Sequence, residues 1–236
     1  MNCPPAHCAS DRFWSYHLIW PVMAFIVSVG VIERTHFDLV LADWIYGLEG
    51  GRWALKDHFV TSGLFHDAAQ NLSRLIGVAW LLLAVSSHFY YRLAPYKKGF
   101  WLLFATLATG VLIVGVTKHL THVECPWNLQ RYGGEHPYLP LYVLRSDSET
   151  HGACFPAGHA SGGYGLVALY FFFLHYDLRY RWYGLAIGLG MGMIYGFAQQ
   201  LRGAHFISHD IWTLAICWLS SLFWYWVLFR RRAQSV

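Results

Sequence analysis

The chain has 236 residues, of which 56% are hydrophobic and 13% charged, about half the charged share expected of a soluble domain. That balance excludes a water-solvated globular enzyme. The net charge of +4 comes from short basic clusters beside apolar runs and reports membrane topology, not nucleic-acid affinity.

In chain order, six apolar runs stand out at about 14–32, 75–91, 100–116, 162–176, 183–200 and 211–229. Each approaches the roughly 20 residues needed to cross about 30 Å of hydrocarbon. The 12 Trp and 15 Tyr suit the headgroup level, where an aromatic ring keeps one edge wet. The expected fold is all-α, a polytopic membrane protein with a six-transmembrane helix bundle and short outer amphipathic helices, in one domain over residues 1–236. The first run lacks a small-residue cleavage site and reads as an anchor.

Basic residues are retained on the cytoplasmic side. Arg92, Lys97 and Lys98 follow the second run, Arg179 and Arg181 the fourth, and Arg230, Arg231 and Arg232 the last. This puts 33–74, 117–161 and 201–210 outside. Arg34, Arg52, Lys56 and Arg74 run against the rule. The first outer segment mixes Trp44, Ile45, Leu48, Trp53 and Phe59 with Asp38, Asp43, Lys56 and Asp57, the pattern of helices lying on a membrane surface, broken at Gly50 and Gly51. Cys3 and Cys8 fall inside and Cys217 within a span. Cys125 and Cys154 share an outer segment, where they are either free thiols or a disulfide closing about 30 residues and contributing roughly 3 kcal/mol.

Most of the 14 histidines fall outside in this topology, and three places carry more than an isolated ring. At the outer end of the third run stands Lys118-His-Leu-Thr-His-Val-Glu-Cys-Pro-Trp127. In Cys154-Phe-Pro-Ala-Gly-His-Ala-Ser-Gly-Gly163, Pro156 and Gly158 shape a turn and His159 opens a helix, whose free N–H groups suit phosphate. The third is Arg202-Gly-Ala-His-Phe-Ile-Ser-His-Asp210. Brought to one rim, Lys118, His159, Arg202, His205 and Asp210 supply cations for an anion and two imidazoles for nucleophilic attack and proton transfer.

These three blocks resemble the signature of the type 2 phosphatidic acid phosphatase superfamily, K-x6-R-P, P-S-G-H and S-R-x5-H-x3-D, over roughly the second half of the chain and in the same order. The resemblance implies a membrane lipid phosphatase in which Lys118 binds phosphate, His159 is the general acid and His205 forms a phosphohistidine, with no metal or other cofactor. The chain departs from the pattern in four places. Cys125 replaces the arginine of the first block, and Ala157 replaces the serine of the second. Gln199 stands six positions before His205 where an arginine belongs, and His209 takes the aspartate's place with Asp210 next to it. Arg202, on the helical face of Gln199, and Arg131, from the loop, are the candidate replacements for the missing cations. Either Asp210 or His209 orients His205, with Asp210 favoured.

The expected substrate is a lipid phosphate or diphosphate in the outer leaflet of a bacterial inner membrane. A loop with Trp127, Arg131, Tyr132, Tyr138 and Arg145 favours lipid A or a similar glycolipid. Undecaprenyl diphosphate hydrolysis and lipid-to-lipid phosphate transfer are the alternatives. Membrane lipids are the expected surroundings, and no obligate protein partner is called for. Outside that class stand a catalytically dead lipid-binding protein and a haem or metal protein ligated through His88 and His175.

Overall fold

The computed structural model describes residues 11–141, 143 and 152–229. Arg145, His151, the Arg230 to Arg232 cluster, Cys3, His7 and Cys8 lie outside the described residues. The described chain is helical, with no strand and one isolated bridge between Leu129 and His136.

Two short helical turns over 11–19 lead into α1, Trp20–Thr35. His36, in the left-handed region at φ 53°, separates it from α2, Phe37–Leu48. Gly50 and Gly51, with φ of 80° and 72°, turn the chain away at the expected break. After π-helical turns over Val60–Ala68 come α3, Ala69–Ser86, and α4, Lys97–Thr121. The second block's helix is split: α5, Gly158–Tyr164, passes through a 3-10 turn at Gly165–Val167 into α6, Ala168–Tyr176. The chain ends with α7, Arg181–Leu201, and α8, Ile207–Phe229.

Four helical stretches among the described residues are long and apolar enough to cross a bilayer: Arg12–Thr35, Ala69–Ser86, Ala94–Asn128 and Ile207–Phe229. The fourth and fifth apolar runs do not reach that standard. A 3-10 turn interrupts the fourth, and five glycines dilute α7. The helix of the second apolar run, α3, starts at Ala69 and stops at Ser86, so His88, Tyr90 and Tyr91 fall beyond it.

α4 lies between α3 and α8, and α7 packs along α5 and α6. The surface is apolar. Leu75, Leu82, Leu112, Val116 and Leu120 are exposed, whereas Gln199, His209, Thr106 and Ser221 are buried. In water this would be costly, but hydrocarbon solvates those side chains and leaves the interior to hold the polar groups.

The close packing of α7 along α5, the 3-10 turn and α6 has a readable cause. Gly184, Gly188, Gly192 and Gly196 recur every fourth residue and form one stripe on α7. A Cβ on Gly184 would meet the backbone at Leu169 and one on Gly188 the backbone at Leu166 and Val167; at Gly192 it would meet the Tyr164 ring, and at Gly196 the Asp210 carboxyl group. Small residues let backbones approach where no hydrophobic drive separates helix from lipid. At the far end of the bundle, Lys98 Nζ donates to the Leu228 carbonyl at 2.6 Å and the Gly99 N–H donates to the Tyr176 hydroxyl. The ends carrying Lys118, Gly158 and Leu201 therefore share the opposite side.

Candidate active site

The three blocks meet at that opposite end, and main-chain bonds brace them. α4 ends at Thr121, and His122 adopts φ 50°. Thr121 Oγ1 donates to the Phe155 carbonyl at 2.8 Å, and the Cys154 N–H donates to the Val123 carbonyl at 3.0 Å. A disulfide joins Cys125 to Cys154, so the second of the two cysteine alternatives is the one found. The first block is tied to the third by the Trp127 N–H, which donates to the Gly203 carbonyl at 2.9 Å. Gly203 has φ 69° and lies against the Trp53 ring, so only glycine fits this turn. Thr213 Oγ1 donates to the Ala157 carbonyl and ties the second block to α8.

Inside this brace His205 is 4% exposed and His209 is fully buried, their Nδ1 atoms 3.4 Å apart. His205 also donates to the Cys154 main-chain carbonyl. Burial, then His209, Lys118 and His159 in turn, lower the His205 pKa well below its ordinary 6.5 and keep the ring neutral. A neutral imidazole carries the lone pair that a nucleophile needs. The Lys118 ammonium lies over Gly158, 3.3 Å from where a Cβ would stand, so a side chain here would crowd it. Together these contacts gather Lys118, Gly158, His159, His205 and His209.

Arg202 is 9% exposed. Its Nη1 donates to Gln199 Oε1 at 3.1 Å and its Nε to the Lys56 carbonyl at 2.8 Å. The two residues thus share one face, as their spacing requires. Gln199 Nε2 is buried without a hydrogen-bond acceptor among the described residues.

Two expected residues sit elsewhere. Arg131 forms a two-pronged pair with Asp43 of α2, Nε to Oδ1 at 2.7 Å and Nη2 to Oδ2 at 2.5 Å, at the surface. That pairing holds the Asp43 carboxyl below its usual range, so this guanidinium braces loop to helix. Asp210 accepts from Gln200 Nε2 at 2.5 Å and faces Gly196, while its other oxygen has no partner among the described residues. The ring neighbour of His205 is His209, one helical turn along, so the preference for Asp210 in that place is corrected. Asp210 lies one residue further round α8, about 100° away, and so turns to α7 instead.

Asp38 was not singled out from the sequence. This residue of α2 is 5% exposed and accepts the Ser208 N–H at 3.0 Å and the Ser208 hydroxyl at 2.5 Å. It therefore caps the start of α8 from another helix. Burial raises its pKa, against the pull of both Ser208 bonds. Gln200 was also missed. The fourfold glycine spacing on α7 was the one available signal, because it marks the face of α7 that meets Asp210 of α8. His88 receives the Trp101 indole N–H at 3.1 Å and His175 packs on the Phe229 ring.

A family model described as the PAP2 superfamily matches residues 99–233, more than half of the chain. The chain belongs to the PAP2 superfamily. Its members are phosphatases, which makes this chain a hydrolase of the phosphatase type acting on a phosphorylated substrate. The match covers α4 through α8 and hence every block of the site. No curated protein and no solved structure gives a significant match to this PAP2 chain.

Proposed function

We propose that this PAP2 protein is a membrane phosphatase that removes phosphate from a lipid phosphate or diphosphate through a phosphohistidine on His205. The observation carrying the proposal is that the buried, neutral His205 lies within electrostatic reach of Lys118, His159 and His209 at one end of an apolar bundle. A lipid reaches such a site within the bilayer, whereas a soluble substrate would have to leave water for it.

A ring nitrogen of His205 attacks phosphorus, and the bond from phosphorus to the lipid oxygen breaks. Protonated His159 delivers its proton to that oxygen, releasing the lipid alcohol, or the lipid monophosphate from a diphosphate. His159, now neutral, takes a proton from water as the water attacks phosphorus. The phosphorus–nitrogen bond breaks and frees His205. Lys118 and Arg202 offset charge on the non-bridging oxygens. His209 and the Cys154 carbonyl hold the nucleophilic ring. No step draws on a metal.

In this reading all six apolar segments cross the membrane as one domain, with the site on the periplasmic face of a bacterial inner membrane. The aromatic loop favours lipid A or a similar glycolipid. A lipid acceptor in place of water would turn the same residues into a phosphotransferase.

The test is phosphate release by purified protein from a panel of lipid phosphates and diphosphates in detergent, with chelator present. His205→Ala is expected to abolish turnover and His159→Ala to slow it by 10²-fold or more, the order of a lost proton-transfer catalyst. Wild-type rates from a folded His205→Ala protein overturn the assignment.

A further inference from the structure

A cleft of about 390 Å³ runs between α3 and α4 and ends on α5 at Gly158 and His159. That volume lies within the range of ligand-binding cavities. Gly77, Phe104 and Val111 give it an apolar stretch, and Gln70 and Arg74 form a polar rim. Both rim residues and Val111 are exposed, so the cleft opens sideways from the bundle. Ser73, beside Arg74, touches Gly162, which lies one turn beyond His159 on α5. This contact brings Arg74 close to the catalytic end of the cleft.

Among the described residues the Arg74 charge has no counterpart. Its one hydrogen bond runs to Asn71 Oδ1 on its own helix at 3.2 Å, and no carboxylate pairs with it among the described residues. A cation on a membrane-crossing helix is costly without an anion. Lys118 already reaches the reacting centre from α4. Arg74 approaches from another wall, through the cleft, and its planar fork matches a phosphate or carboxylate in two-pronged fashion.

Building on the proposed lipid phosphatase, we infer that the cleft seats the substrate's hydrocarbon chain and that Arg74 is a specificity residue binding a second acidic group of the headgroup. The preferred substrate is then a lipid carrying more than the one phosphoryl group that reacts.

The experiment compares dioleoyl phosphatidic acid with dioleoylglycerol diphosphate on the full-length protein in detergent. Arg74→Ala is expected to raise KM for the diphosphate about tenfold more than for the monophosphate, with kcat for either changed less than twofold. Arg74→Lys should recover part of that selectivity. An unchanged ratio of the two KM values overturns the role of Arg74 and leaves the phosphatase reading standing. Should the wild type release phosphate from neither lipid, the phosphatase reading falls. Direct binding of the two lipids to wild type and Arg74→Ala then decides the subsite, and equal affinities overturn it. For the cleft, Ala108→Trp fills the wall and should depress turnover of dioleoyl substrate several-fold more than that of its dihexanoyl counterpart. An equal effect on both chain lengths refutes the seat, and Ala108→Leu repeats the comparison with less disturbance of the fold.

Discussion

Two glycines of α7 stand two residues apart and should answer oppositely to alanine. At Gly190 a Cβ would meet nothing within 4 Å. Gly190→Ala thus keeps the helical advantage of alanine, up to about 1 kcal/mol. At Gly188 the same atom would lie 2.8 Å from both the Leu166 carbonyl carbon and Val167 Cα. These are backbone atoms, so no side chain can swing aside, and α7 must retreat by roughly 0.5–1 Å to regain van der Waals distance. Overpacking of this kind costs about 1–3 kcal/mol, which outweighs the helical gain. The helical gain is common to both, so the two variants should differ by the overpacking cost itself, about 1–3 kcal/mol, with Gly188→Ala the less stable. Because α5 carries His159 and α7 leads to Arg202, that retreat also misaligns the reacting groups, and up to 10²-fold in rate is at stake. Thermal unfolding in detergent, followed by intrinsic fluorescence, together with phosphate release reads both quantities. Matching melting temperatures for the two variants refute the glycine stripe as the determinant of helix approach.

Loss of the Cys125–Cys154 bridge, which spans 29 residues, removes about 3–4 kcal/mol in the chain-entropy model. Reductant or Cys125→Ser should lower the temperature of inactivation and weaken the hold of the Cys154 carbonyl on His205; an unmoved inactivation curve contradicts this. Acidification should destabilise the protein through His205. Its folded pKa lies well below the 6.5 of the unfolded chain, so the unfolded state binds a proton that the folded state refuses. The contribution is complete above about pH 6.5 and declines below it, by up to about 1.4 kcal/mol per pH unit, until the folded pKa is reached. His205→Ala should flatten that decline between pH 7.5 and 5.5 in thermal melts, and a parallel profile refutes the assignment.

The helices were legible because hydrophobic length is written locally, and so was the convergence of Lys118, His159 and His205, since three spaced motifs report one site. Boundaries were less so. The helical turns over 60–74 that precede the second apolar run carry too many polar residues for an apolar scan to detect. Long-range polar pairing was not legible at all. Nothing near Asp38 announces Ser208, which lies 170 positions away, and nothing near Arg131 announces Asp43. Asp210 shows the limit of motif spacing. Matching a carboxylate to a pattern fixes its place along the chain, but its angle around α8 sends it to Gln200.

α2 presents Phe37, Val40, Trp44 and Leu48 outward as an exposed apolar strip, while Asp38 on its inner side grips Ser208 at the first turn of α8. A surface element that feels the bilayer is thus rigidly pinned to the helix that bears His209. Thinning, curvature or harsh detergent that lifts this strip will slacken the catalytic end first, so the choice of amphiphile during purification bears directly on whether the enzyme keeps its activity.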